Sequence, residues 1–437
     1  MANQDIAVQI VSVGTETGTS GFNFHKKRLD SILIKIPQNT KVSVISVVGA
    51  FRTGKSFLLS WFLRYLTHRE SSSSNDTVWH DQKTSLGRQD GFHWRGGSER
   101  DTTGIWMWNK PFYLPHSSGT IVVLLVDTQG MFDNETTMSL TSSIFGLSTL
   151  ISSYQIYNVD KHIREDNLQQ LALFSEYGRT AVGKCNNGDR KPFQKMEFLV
   201  RDWQNFDDEE DIEACETEMK KYLVDVVANH ADANDLRDTR DQINTCFEDV
   251  SCFLMPHPGK AVTKKKYSGD ISVVDPSFKR FIDHYCERVF ENVIAKSGIH
   301  GRELTAFELG VYIEAYAKLF EAGADSFPKA TTWLESVVSA NNTIASGSSI
   351  RLYKELMDEH VGSTYLSPEV LMKHNDDVSS ECFDLFDEIA RFGNGKAIEK
   401  ARREVQNDLS DEYKRYVKFN DDRKPNGFWK GYVFFKL

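Results

Sequence analysis

Gly49-Ala50-Phe51-Arg52-Thr53-Gly54-Lys55-Ser56 is the stretch on which the fold turns. It fits G-x-x-x-x-G-K-[ST], whose glycines let the backbone wrap around phosphates while successive N–H groups and a helix N-terminus supply positive potential. That mechanism needs a strand before the loop and a helix after it. Residues 42–48 are a β-branched apolar run, and Phe57-Leu58-Leu59-Ser60-Trp61-Phe62-Leu63 follows Ser56 without a break. Gly49, Thr53, Gly54 and Phe57 are therefore expected to line a phosphate pocket. Lys55 should bridge the β- and γ-phosphates, and Ser56 should offer its hydroxyl to Mg2+.

Working outward from this loop, short β-branched runs alternate with longer helical segments from about residue 40. The alternation predicts an α/β fold, a mostly parallel sheet flanked by helices. Further strands are expected at 121–126, 196–200 and 252–255, each ending at a turn where such sheets hold ligands. Alternation around Val8, Ile10 and Val13 predicts an edge strand. Polar stretches at 69–88 and 207–218 read as mobile or solvated insertions, and the charge run 207–211 as a solvated face.

Gly323, Asp325 and Pro328 read as a hinge at 323–330, closing a nucleotide-binding domain at 1–322. Beyond it, apolar residues recur at helical spacing over 331–360, 368–392 and 396–420, as in Ile398, Ala401, Val405, Leu409 and Tyr416. This predicts a C-terminal three-helix bundle at 331–422 followed by a tail at 423–437. Ser367-Pro368-Glu369 reads as a helix cap with proline at the first helical position.

Composition bounds the rest. With 437 residues, 40% hydrophobic and 26% charged, the chain has apolar material for two globular domains and is neither disordered nor fibrous. A net charge of −10 argues against a general nucleic-acid binder, so no nucleic-acid partner is expected. The six cysteines lack a C-x-x-C pair and read as buried thiols. No run reaches the ~20 apolar residues of a membrane-spanning helix, and no basic-then-apolar leader opens the chain. A soluble chain is expected.

A nucleoside triphosphatase also needs a carboxylate at a neighbouring strand tip and a donor to the γ-phosphate, and Asp127-Thr128-Gln129-Gly130 offers both. Asp127 should hold Mg2+ through water, and the Gly130 N–H can point at the γ-phosphate. Between the two motifs lies Gly96-Gly97-Ser98-Glu99-Arg100-Asp101-Thr102-Thr103-Gly104. A hydroxyl there, from Thr102 or Thr103, can complete the Mg2+ shell when the γ-phosphate is present, which would make the loop a switch.

For the base, Asn109-Lys110-Pro111-Phe112 only superficially resembles N-K-x-D, lacks the aspartate and precedes Asp127, so it is set aside. Leu199-Val200-Arg201-Asp202 closes a strand on the ligand side. Asp202 can accept from the guanine N1–H and exocyclic amine together, a donor pair adenine lacks; the residue reads equally as a surface aspartate. Arg52, inside the loop, can act as an arginine finger in cis. Met131 follows Gly130 where many GTPases carry a water-orienting glutamine, so switch-loop backbone groups or Gln129 must position the water.

The combination resembles atlastins, in the dynamin superfamily. The likeness rests on the phosphate loop with Arg52 inside it, Trp94-Arg95-Gly96-Gly97-Ser98-Glu99-Arg100 leading to Thr102-Thr103-Gly104, Asp127 to Gly130, Arg201-Asp202 and Pro256-His257-Pro258-Gly259. It spans nearly the whole chain. It implies a GTPase using GTP/GDP and Mg2+, which forms a homodimer through its nucleotide-binding domains. The helical domain would serve as a lever to tether and fuse endoplasmic reticulum membranes from their cytosolic face.

By that likeness Arg52 is the catalytic arginine, Arg201-Asp202 the guanine reader and His257 part of a cap over the base. Arg95 matches an arginine linked to nucleotide-dependent dimer contacts. Atlastins continue into a transmembrane hairpin and an amphipathic tail, absent from these 437 residues. The expectation is an excised cytosolic portion, favoured over a soluble paralogue. The alternatives are an immune guanylate-binding protein, whose helical region is far longer than that after Pro328, and a GTP-gated tether with slow hydrolysis.

Overall fold

The computed structural model describes residues 5–14, 21–71, 79–80, 86, 91–92, 102–117, 119–131, 137–172, 191–227, 234–298, 301–322, 330–362, 364–390 and 395–424. The chain divides into two compact units, Met1–Leu334 and Glu335–Leu437. The first runs β1 (Ala7–Gly14), β2 (Gly21–Phe24), α1 (Lys26–Leu33), β3 (Lys41–Gly49), α2 (Lys55–Ser71), β4 (Ile105–Trp108), β5 (Phe112–His116), β6 (Gly119–Thr128), α3 (Met138–Ile151) and β7 (Tyr154–Asp160). It continues through a helical stretch α4 at 165–172, then β8 (Phe193–Trp203), α5 (Ile212–Val227), α6 (Asn234–Cys246), β9 (Phe247–Pro256), α7 (Pro276–Glu291) and α8 (Ala306–Ala322).

Among the described residues nine strands form one sheet in the order β2-β1-β4-β6-β3-β7-β8-β9, with β5 beside the start of β6. Strands β6, β3, β7, β8 and β9 are parallel, and the flank of β2, β1, β4 and β5 is antiparallel. From Val42 to Gly49 every residue of β3 is buried, as is every residue of β6 from Ile121 to Thr128. Strands covered on both faces read as near-continuous apolar runs, which is why these two stand out in the sequence.

The register places the functional strand ends side by side. Val47 pairs with Asp127, Gly49 with Asn158, Asp160 with Arg201, and Trp203 with Pro256. The helix after the phosphate loop is fixed by α7, whose apolar residues Phe278, Phe281, Ile282, Tyr285, Val289 and Phe290 recur every three or four positions and are buried. Asp275 caps α7 and Pro276 opens it. The rings of Phe62 and Phe290 lie 5.1 Å apart, and those of Trp61 and Phe278 6.0 Å, which docks α2 on α7.

Several expectations change. The alternation around Val8 is not the edge: β1 lies between β2 and β4. The polar stretch 69–88 holds the end of α2, and Trp79 and Leu86 within it are 6% and 5% exposed. The acidic run 207–211 does lie at the surface as expected, with Asp207, Asp208, Glu210 and Asp211 exposed, while Glu209 accepts from the Ser277 hydroxyl and Glu210 pairs with Arg280 at 2.8 Å. Cys215, Cys246, Cys252, Cys286 and Cys382 are buried free thiols.

The second unit is built from α9 (Ala330–Val361), from Glu335 onward, with α10 (Pro368–Ile389) and α11 (Gly395–Asp421). Ser367 accepts the Val370 N–H to cap α10, and Pro368 opens it. Ala401, Val405, Leu409 and Tyr416 are buried at helical spacing on α11. Tyr416 donates to Asp358 at 2.6 Å, Tyr353 donates to Asn375 at 2.6 Å, and Ser349 donates to the Cys382 carbonyl at 2.9 Å, so α9 is bonded to both of its partners. Among the described residues no helix is long and apolar enough to cross a membrane. Residues 323–329 and 425–437, and hence most of the expected hinge and tail, lie outside the described residues.

Candidate nucleotide-binding site

Three oxygens expected at a cation come together at the ends of β3 and β6. The Ser56 hydroxyl donates to Asp127 Oδ2 at 2.5 Å, lies 3.3 Å from Thr102 Oγ1, and Thr102 Oγ1 lies 3.5 Å from the same carboxylate oxygen. Asp127 is 1% exposed, and its other oxygen, Oδ1, is buried with no hydrogen-bond partner among the described residues. Hydroxyl and carboxylate oxygens are the donors a hard cation such as Mg2+ prefers, and an orphaned carboxylate oxygen leaves room for one more contact. The residues fit the group. Of the two threonines left open by the sequence, Thr102 faces Ser56 and Asp127, whereas the Thr103 hydroxyl faces Gln9 at 3.3 Å.

Electrostatics mark the same spot. Burial pushes Asp127 up to about 6, opposed by the Ser56 hydrogen bond and the charge of Lys55. Burial lowers Lys55 to about 8, with Asp127 opposing and Arg201 adding to the shift. A buried lysine beside a buried aspartate, both disfavoured in their charged forms, marks this spot as a candidate functional site.

The loop itself is tightly braced. Lys55 Nζ and Thr53 Oγ1 both donate to the Ala50 carbonyl, at 3.0 and 2.9 Å. Phe51 N–H donates to Met131 O at 2.9 Å, and Met131 N–H to Gly49 O at 3.1 Å. A Cβ on Gly130 would stand 2.4 Å from Phe51 Cα, so the backbones approach too closely for any side chain there. Gly54 has φ +79° and leads into α2. Phe57 packs its ring near Trp61, Tyr267 and Phe278, leaving only its backbone at the helix start to face the loop.

Arg52 is exposed, takes φ +63°, and its guanidinium lies 5.6 Å from the centre of the Phe51 ring. Gln129 is placed differently from a side chain free to orient water. It is 2% exposed, its Oε1 accepts the Gly104 N–H at 2.9 Å, and its own N–H donates to Gly104 O at 2.7 Å. Gln129 thus anchors the strand that follows Thr102. Arg95 lies outside the described residues.

At the end of β8, Arg201 spans two carboxylates, 3.4 Å from Asp160 and 3.2 Å from Asp202. Asp202 has φ +56°. His257 follows β9, the neighbouring strand, and its Nδ1 accepts the Gly259 N–H at 2.9 Å. That bond leaves Nε2 as the donor of the neutral ring.

Sequence reasoning missed two participants. Asp160 holds Arg201 from the end of β7. Asn158, two residues earlier, reaches into the phosphate loop, donating to Thr53 O at 2.7 Å and Thr53 Oγ1 at 3.2 Å. The signal available was a run of tyrosine, isoleucine and valine interrupted by polar residues at 154–160.

Comparison with known proteins accounts for this arrangement. Residues 21–297 match the model of the guanylate-binding protein N-terminal domain. The chain is 35% identical to Atlastin of Drosophila melanogaster over 430 residues, covering 95% of this chain and 76% of that protein. It is 32% identical to Atlastin-2 of Homo sapiens over 414 residues, 92% of this chain and 68% of that protein. To Atlastin-3 of Mus musculus it is 33% identical over 423 residues, 95% and 76% of the two chains. The chain belongs to the atlastin family, dynamin-superfamily GTPases with a nucleotide-binding domain of the guanylate-binding-protein type.

Proposed function

We propose that this GTPase works with Mg2+ held by Ser56, Thr102 and Asp127, that two copies pair through domain 1–322, and that hydrolysis moves the helical domain 331–422 about the hinge at 323–330. The outcome is tethering and homotypic fusion of endoplasmic reticulum membranes, at their cytosolic face. The observation that carries this reading is the convergence of Ser56 Oγ, Thr102 Oγ1 and Asp127 Oδ2 beside buried Lys55.

Each residue has a task. Backbone N–H groups from Gly49 through Phe57, with that of Gly130, cradle the phosphates. Lys55 gains from the β- and γ-phosphates the counter-charge that the Ala50 carbonyl cannot give it. When bound, the cation neutralises charge on the same two phosphates. Thr102 senses the γ-phosphate, and Gln129 transmits that state through Gly104 to β4. Arg52 swings from Phe51 to the γ-phosphoryl group by side-chain rotation, its backbone already turned, and stabilises the charge that develops there. Asp202 accepts the guanine N1–H and amine, held in place by Arg201, while His257 and the loop after it cover the base.

Turnover of Arg52→Ala tests the catalytic claim, with a loss of at least about a hundredfold expected; wild-type turnover refutes it. Gel filtration with light scattering, comparing GDP with a GTP transition-state mimic, tests pairing, and no increase in mass with the mimic refutes it. Equal hydrolysis of ATP and GTP removes Asp202 from its role. The engagement of Gln129 by Gly104 favours a second reading, a GTP-gated tether, and slow wild-type turnover with intact GTP-dependent pairing selects it.

A further inference from the structure

Asn158 is an unusual occupant of its position. It lies on β7, in the interior of the sheet, 1% exposed, where asparagine has poor strand propensity and buries a polar amide. A residue that breaks a local preference in this way has a compensating task. The amide nitrogen donates to one residue of the phosphate loop, with the carbonyl and hydroxyl of Thr53 at 2.7 and 3.2 Å. The acceptor, Oδ1, is buried and has no partner among the described residues, so none of these pulls the amide the other way.

Thr53 immediately follows Arg52, a non-glycine residue in the left-handed region at φ +63°. Such a conformation persists only where its surroundings over-determine it. On its N-terminal side the turn is held by the Phe51 N–H bond to Met131 O. On its C-terminal side the described holds are the Asn158 amide and the Thr53 hydroxyl bond to Ala50 O, and the amide also grips that hydroxyl. The Asn158 carbonyl would stand 2.2 Å from a Cβ on Gly49, so the same residue sets the start of the loop by contact and its middle by hydrogen bonds.

We infer that Asn158 is a positioning residue for catalysis: its grip on Thr53 keeps the Arg52 turn left-handed and so aims the guanidinium at the departing phosphoryl group. The inference rests on the proposed role of Arg52. The amide binds the carbonyl and hydroxyl of Thr53 and leaves the loop's N–H groups to the phosphates, so its loss should bear on the aim of Arg52 more than on nucleotide affinity. A displaced catalytic group, by contrast, costs rate steeply.

The test uses Asn158→Leu, which keeps volume and suits a buried strand but donates nothing, with Asn158→Ala as a second variant. Expected in both is a fall in kcat of about ten- to a hundredfold with KM and the Kd for labelled GDP within about threefold of wild type. In an Arg52→Ala background the same change should lower kcat by less than about threefold, because the aimed group is gone. Parallel losses of kcat and GDP affinity overturn the inference, as does an undiminished effect in the Arg52→Ala background, or unaltered turnover. Failure of both variants to fold or bind GDP also overturns it, since a loop clamp is not needed by the core. If Arg52→Ala alone hydrolyses GTP at the wild-type rate, the fault lies in the reading of Arg52.

Discussion

Asp127→Asn in the nucleotide-free, metal-free protein separates what this carboxylate does to the fold from what it does for the substrate. Burial is the largest influence on Asp127, moving it from 3.8 to about 6. The folded protein therefore holds this proton more tightly than the unfolded chain, so stability falls as pH rises from 3.8 to about 6 and the loss is complete above that. The shift corresponds to about 3 kcal/mol of destabilisation at neutral pH. Asparagine keeps the shape and removes the charge, but it also strips Lys55 of its counter-charge, leaving an expected net gain of about 1–2 kcal/mol. Urea unfolding in EDTA, followed by tryptophan fluorescence, reads it directly. The variant should be the more stable protein at neutral pH, and its advantage should shrink on acidification as wild-type Asp127 takes up its proton. With GTP and Mg2+ the order should reverse, since the wild type gains binding energy that the variant lacks. A variant less stable than wild type in EDTA at neutral pH, or an advantage that does not shrink in acid, refutes the reasoning.

Lys296 is 7% exposed, donates to Ser152 O, and is lowered by burial to about 7; the unfolded chain holds this proton up to 10.5, so stability should rise with pH above about 7. In Lys296→Met that rise, about 1.4 kcal/mol per pH unit at most, should disappear, and parallel curves from denaturant titrations across pH would count against it. Gly130→Ala forces a Cβ to 2.4 Å from Phe51 Cα and should weaken labelled-GDP binding by about tenfold or more; unchanged affinity would show that the loop can move aside. Tyr416→Phe removes the 2.6 Å bond to Asp358 and should cost about 1–2 kcal/mol in unfolding measurements, with GTP turnover per folded molecule unaltered in the isolated step of nucleotide hydrolysis.

What the sequence made legible follows from burial on two faces. Strands β3 and β6 stand out as largely apolar runs because both faces are covered, the buried Ser43 and Ser46 of β3 being hydrogen-bonded to Ser153 and Ser152, and the motifs at their ends fall where such sheets bind ligands. The same logic hid β7. Gln155 and Asn158 are each 1% exposed within it, and in sequence a buried polar residue is indistinguishable from an exposed one. Trp79 was hidden by its setting: it sits in a polar stretch after four serines, yet its indole donates to Asp283 and its ring meets Trp61 at 5.9 Å. Gln129 was expected as a water-positioning residue and was not legible as an anchor, because its partner, Gly104, is 25 positions away and meets it through the pairing of β4 with β6.

Strain shows where side-chain identity outweighs backbone comfort. Arg52, Lys161 and Asp202, with φ of +63°, +60° and +56°, are the non-glycine residues in the left-handed region among those described. Arg52 and Lys161 stand just past the ends of β3 and β7, and Asp202 is the penultimate residue of β8; the three strands are adjacent. Each such conformation costs about 1 kcal/mol or more, and a surface turn avoids the cost with glycine. Glycine at 52 would remove the guanidinium and at 202 the carboxylate, so at these positions the side chain is what the strain preserves. Lys161 differs, because its contribution runs through the backbone: its N–H donates to Arg201 O at 2.9 Å, and the next N–H, of His162, donates to Asp160 O at 2.6 Å. The turn at Lys161 thereby locks the end of β7 onto the end of β8, with Asp160 set against Arg201. The left-handed residues therefore bear on one geometry, that of the Arg52 guanidinium and the Arg201–Asp202 pair, the groups proposed for the phosphate end and the base end of a single nucleotide. They do so at the end of the sheet where parallel strands already deliver their C-termini, and the strain is tolerated there because the buried sheet holds the strands that the turns connect.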